Sequence, residues 1–102
     1  MQYFRVVNWE RHQHYRDRNP PWIKVYNVLL DDYAFCCLQD AGKMHLIAIW
    51  LLASRSGNVL PWDADHIGRR VSATGPVDLD ALREAGFIEP CSRDGSDIGG
   101  VA

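Results

Sequence analysis

The chain has 102 residues, 47% of them hydrophobic, with three cysteines and a formal net charge of −2. That suits one domain with a modest core and no disulfide staples, and it excludes a disulfide framework, because two of the three cysteines, Cys36 and Cys37, are adjacent. The N-terminus is polar and charged without an apolar stretch behind it, so neither a signal peptide, a membrane span nor a lipid anchor is expected. The expected setting is therefore cytoplasmic, with Cys36 and Cys37 as reduced, buried thiols.

Charge is unevenly placed along the chain. Residues 1–24 carry Arg5, Arg11, Arg16, Arg18 and Lys24 against only Glu10 and Asp17, whereas acidic residues dominate from 25 onward. A basic N-terminal part can turn such a chain towards an anionic partner although the total is slightly acidic.

In chain order, Tyr3 to Trp9 is aromatic and β-branched and reads as a strand, with Tyr3, Arg5, Val7 and Trp9 on one side and Phe4, Val6 and Asn8 on the other. Residues 10–19 are basic, polar and aromatic by turns and read as an irregular, exposed arm stopped by Pro20 and Pro21. Pro21 suits a first helical turn, and helical spacing puts Trp22, Tyr26, Leu29 and Leu30 on one face of a helix over 21–30. Tyr33 to Leu38 is a short apolar piece, a partial helix or turn leading to Asp40.

The core of the chain lies at 41–54. Leu46 to Ala53 is an unbroken apolar run, too wide for one face of a surface helix and far short of the roughly 18–20 residues that cross a bilayer. Asp40 reads as its N-cap and Gly57 as its left-handed C-terminal stop. The spacing predicts a central helix wrapped by the rest of the domain.

After a turn at 54–58, Val59 to Trp62 reads as a very short edge segment, with Pro61 consistent with an edge. Asp63 caps a helix over 64–71 whose inner residues are Ile67 and Val71 and whose outer ones include Arg69 and Arg70. Following a turn at 72–75, Pro76 opens a helix through Ala85 with Leu79, Leu82 and Ala85 inside. Gly86 closes it, and Phe87 to Glu89 reads as a strand ended by Pro90. Ser92 to Ala102 is small, polar and Gly-rich: a wing tip, a frayed tail or the start of a linker.

From residue 41 the order is helix, short strand, helix, turn, helix, strand, which is the layout of a winged helix-turn-helix. The expected fold is thus mainly α (α+β), a winged helix with an N-terminal strand extension. It divides into a strand and basic arm at 1–20, a winged-helix domain at 21–91 and a flexible tail or linker start at 92–102.

The run Arg16-Asp17-Arg18-Asn19-Pro20-Pro21-Trp22-Ile23-Lys24-Val25-Tyr26, then Leu29-Leu30-Asp31, an apolar helix and a helix pair ending Ala85-Gly86-Phe87-Ile88, resembles phage and prophage replication initiators. These are replisome organisers with an N-terminal winged-helix domain, similar to DnaD-like and replication protein O-like domains. The resemblance covers roughly residues 16–89. It implies binding of double-stranded DNA at an origin or operator, with a further replication protein as a partner.

Base reading in that fold comes from the N-terminal end of the second paired helix. Here that end holds Asp78 and Asp80, which are unfavourable beside phosphate, with no Arg, Asn or Gln to read G or A, and which suit the first turn of a helix as complements to its dipole. The DNA contacts therefore fall to Arg69 and Arg70 and to Arg11, Arg16, Arg18 and Lys24 of the arm, beside Tyr15 and Trp22. Local pairing of Arg16 and Arg18 with Asp17, and a core role for Trp22, are the alternatives at those positions. His12 and His14 lack nearby further ligands, and the adjacent Cys36 and Cys37 lack the gap that lets two thiolates share a zinc. No metal, no cofactor and no enzymatic activity are expected, since no nucleophile motif or phosphate-cradling loop is present. The second class of reading is a protein–protein or dimerisation module. Its homodimer would be anchored by Tyr3, Trp9, Trp50 and Trp62 or paired through the N-terminal strand.

Overall fold

The computed structural model describes residues 1–13 and 21–98; Arg16 and Arg18, with the rest of 14–20, and 99–102 lie outside the described residues. Among the described residues the chain is an α+β mixture of five short-to-medium α-helices around a three-stranded antiparallel sheet. The strands are β1 (Tyr3–Val6), β2 (Leu60–Pro61) and β3 (Ile88–Cys91), in the order β2-β1-β3. The helices are α1 (Trp9–His12), α2 (Tyr33–Cys36), α3 (Asp40–Arg55), α4 (Ala64–Arg70) and α5 (Leu79–Glu84), with a 3-10 turn at Asn27–Asp31.

The N-terminal strand is the middle of the sheet. Phe4 lies opposite Leu60 on one side and Pro90 on the other, and Val6 lies opposite Ile88. Alternation works as the pattern requires, with Phe4 and Val6 buried and Tyr3 and Arg5 half-buried on the other face. Both edges of β1 are therefore taken, and the expectation that this strand pairs across a twofold axis is overturned. The strand is also shorter than the expected 3–9. Val7 and Asn8 form a turn with Asn8 at φ 59, and Trp9 starts α1.

Beside β2 the ladder is completed by a side chain. Asn58 stands at φ 58, and its amide group closes on the peptide of Val6: the Val6 N–H donates to Asn58 Oδ1 at 2.8 Å, and Asn58 Nδ2 donates to the Val6 carbonyl at 3.2 Å. A two-residue strand is thereby extended along a four-residue one. β3 keeps Pro90 inside it rather than ending there, which an edge strand tolerates because the missing N–H belongs to the outward side.

α3 is the expected long apolar helix, but it is not wrapped on all sides: Met44 and Leu51 stay exposed and Ile47, Ala48 and Trp50 are half-buried. Leu46, Ile49, Leu52 and Ala53 are buried and pack in one cluster with Phe4, Val6, Leu60, Ile67, Leu79, Leu82 and Ile88. It starts one residue early: Gln39 occupies the cap without a side-chain bond, and Asp40 stands in the first turn, where its charge complements the helix dipole. Gly57, at φ 63, follows its end as expected. α4 and α5 are each capped by an aspartate, Asp63 accepting from the His66 amide at 3.1 Å and Asp78 from that of Ala81 at 3.0 Å. α5 begins at Leu79 rather than Pro76, and Val77, just before it, is buried against Gly68 of α4. Trp62 ties these parts together. It meets Phe4 edge-on at 5.5 Å and carries the Arg83 guanidinium over its ring at 5.9 Å.

Two expectations fail here. The helix over 21–30 is absent: Trp22 to Tyr26 is non-helical and only Asn27–Asp31 makes a 3-10 turn. Of the expected apolar face only Leu29 packs partly buried against the core, Trp22, Tyr26 and Leu30 are exposed, and the backbone at Lys24 is bonded by Gln13. Its Nε2 donates to the Lys24 carbonyl at 2.8 Å and its Oε1 accepts the Lys24 amide at 3.0 Å. Second, Cys36 and Cys37 are exposed, because α2 is a single turn that buries only Phe35; the buried thiol is Cys91. Burial pushes the Cys91 thiol above its ordinary value. Titration of the folded chain with a maleimide should therefore label Cys36 and Cys37 quickly and Cys91 only after denaturation; fast labelling of all three would contradict this placement.

No described helix is long and apolar enough to cross a membrane.

Candidate nucleic-acid interface

Among the described residues the cations fall into two groups, those already committed to a partner and those open to solvent. Arg5 is committed. From the half-buried face of β1 it pairs with Asp97 and with Glu89 at 3.5 Å, and its Nη1 donates to the Gly95 carbonyl at 2.6 Å. The bond to Asp97 holds its guanidinium above the usual value. The turn that receives it is built at Ser92–Asp97, where Asp94 accepts from the Ser96 amide at 2.9 Å and hydroxyl at 2.6 Å. Those bonds keep the Asp94 carboxyl below its ordinary range. Lys43 lies 3.9 Å from Asp40 and over the Phe35 ring at 5.8 Å.

Arg69 and Arg70 are open, as are the exposed Arg55, Arg83 and Arg93. Arg69 and Arg70 occupy the last turn of α4, exposed, with no ion pair among the described residues. That position complements the negative end of the helix dipole and leaves both guanidinium groups available to a second anion. Arg11 is likewise exposed on α1 with no ion pair among the described residues. Lys24 is half-buried, its backbone fixed by Gln13. Arg11 leaves the sheet from the Val6 end of β1, while α4 is entered from the Tyr3 end, where the Trp62 amide donates to the Gln2 carbonyl at 2.8 Å. So Arg69–Arg70 and Arg11–Lys24 are two separate groups in the topology. Arg16 and Arg18 lie outside the described residues and are not placed by it.

The acidic start of α5 has a local explanation. Asp78 is spent on its own helix cap and Asp80 stands exposed in the first turn. With no Arg, Asn or Gln at this end, α5 offers no side chain there to read G or A.

One feature carries no sequence signal. A groove of about 490 Å³ runs between the end of β1, the 24–32 segment and the α5–β3 turn, lined by Trp9, Val25, Leu29, Trp50 and Phe87 among others. The Trp50 indole nitrogen is buried there without an acceptor among the described residues. The non-helical segment 22–26 contributes Lys24, Val25 and Tyr26 to its lining. Among the described residues no group of three or more His, Cys, Asp or Glu side chains is placed to hold a metal ion.

No protein-family model, curated protein or solved structure matches this chain.

Proposed function

We propose that the chain is a non-enzymatic DNA-binding domain of the phage replication-initiator kind, a winged helix that holds double-stranded DNA through phosphate contacts. The observation that carries this reading is the contrast among its cations. Arg5 and Lys43 have acidic partners, whereas Arg69, Arg70 and Arg11 stand exposed without any among the described residues. The element order supports the fold: α3, β2, α4, α5 and β3 follow one another as a winged helix requires, and β3 runs into the Ser92–Asp97 turn where a wing tip would lie. The 16–31 run that resembles the replication initiators supports the phage assignment and a replication protein as a further partner.

In this reading Arg69 and Arg70 grip one stretch of backbone and the arm, with Arg11, Arg16, Arg18 and Lys24, grips another. The start of α5 carries Asp78 and Asp80 and no Arg, Asn or Gln to read G or A. Binding is then sequence-tolerant and dominated by counterion release. A mobility-shift experiment with a random-sequence duplex should give a complex at low salt that dissolves at moderate salt. No complex at low salt would refute the proposal. A protein-interaction module of the same fold is the second reading, favoured by the carboxylates at the start of α5; it predicts no shift at any salt.

A further inference from the structure

α3 presents to solvent a face that the fold covers only in part: Ile47 packs partly buried against the core cluster, while Met44 and Leu51 stand exposed. Its buried side is formed by Leu46, Ile49, Leu52 and Ala53. At 100° per residue the opposite sector is Asp40, Met44, Ile47, Ala48, Leu51 and Arg55. Met44 is 62% exposed and Leu51 48% exposed, Ile47 and Ala48 are half-buried, and Asp40 and Arg55 are exposed at the two ends. So an apolar stripe runs between one acidic and one basic end.

We infer that this face of α3 is a homodimer surface on which two copies of the chain pair their α3 helices antiparallel. The stripe is self-complementary in that arrangement alone. A twofold axis passing between Ile47 and Ala48 sets Ile47 against Ala48 of the second copy, Met44 against Leu51, and Asp40 against Arg55, each contact occurring twice. Ala48 at the crossing lets the helix axes approach to the 8–10 Å of close helix packing. The charges fit as well. Arg55 has no ion pair among the described residues, and Asp40 has only a 3.9 Å approach to Lys43 while its side chain is fully exposed. A parallel pairing would set Asp40 against Asp40 and Arg55 against Arg55. One helix from each copy is a small interface, so the dimer is reversible and concentration-dependent.

Sedimentation of the full chain across a wide concentration range tests this. The apparent mass is expected to rise from monomer towards dimer as concentration increases. Leu51→Glu, at an exposed position where a helix-forming residue leaves the fold intact, should abolish the rise. Arg55→Asp alone should weaken association about tenfold, by turning two attractions into repulsions, and Asp40→Arg combined with Arg55→Asp should restore it. Far-UV circular dichroism of each variant checks that α3 is retained, since the reversed charges oppose the helix dipole. A native chain that stays monomeric, a dimer indifferent to Leu51→Glu, or a double reversal weaker than the single one would each overturn the inference.

Discussion

Phe4→Ala should destabilise the fold by about 3–5 kcal/mol. Phe4 is fully buried in the central strand, with Leu60 beside it on one side, Pro90 on the other and the Trp62 ring edge-on against its face. Truncation removes the apolar area of the ring and opens a cavity at the one place where both edge strands, α3 and Trp62 meet. The surroundings have little freedom to collapse into it, because β1 is held on both sides. Against a total stability of about 5–15 kcal/mol for a domain this size, the loss leaves the variant marginal. Urea denaturation should show the midpoint falling sharply with the slope unchanged. A loss below about 1 kcal/mol would mean that Phe4 is not at the centre of the core.

The second large effect is at Asn58. Asn58→Ala should cost about 3 kcal/mol from two separable causes. The Val6 amide and carbonyl lose the partner that closes β1 on to the loop before β2, and Val6 is a buried residue, so water does not readily replace it. Alanine must also adopt φ 58, a conformation that asparagine tolerates better than most residues. Asn58→Gly separates the two, since it keeps the backbone conformation and loses only the clamp; it should recover about 1 kcal/mol of the loss. Asn58→Asp keeps the acceptor but sets a carboxylate against the Val6 carbonyl, and should be worse than glycine. Equal stability of the glycine and native proteins would show that the clamp contributes nothing.

Both residues show what a linear chain discloses. Phe4 is readable, because strand alternation sends Phe4 and Val6 to the same side, whereas the apolar run at 46–53 asks for a helix wrapped all round and α3 leaves Leu51 exposed. Asp63 and Asp78 sit where capping chemistry places them, although the sequence pattern marks Asp78 only as a dipole partner and Pro76 as the start of α5. Asn58 was read as a turn residue, and its bond to Val6, far away in sequence, depends on the finished sheet. The same holds for Gln13, whose amide group takes the Lys24 peptide and so overrides the helical spacing of 21–30. Of the face that spacing describes, only Leu29 packs against the core. Cys36 and Cys37 misled for a related reason: the apolar stretch around them forms one turn, too short to have a buried side for each. Of the site, the exposure of Arg11, Arg69 and Arg70 is legible from their positions, but that they form no ion pair among the described residues is a tertiary fact, as is the commitment of Arg5 to Asp97.

The central claim is that these open cations hold the phosphate backbone of DNA. Its most direct test is the salt dependence of duplex binding, measured by fluorescence anisotropy for the native chain and for three variants: Arg69→Ala/Arg70→Ala, Arg16→Ala/Arg18→Ala, and Arg11→Ala. Each lost phosphate contact should reduce the slope of log K against log salt by about 0.9, so each double variant should flatten it by nearly 2 units and Arg11→Ala by about half of that, at every duplex sequence alike. Native and variant chains sharing one slope, or a native chain that fails to bind at low salt, would contradict the account.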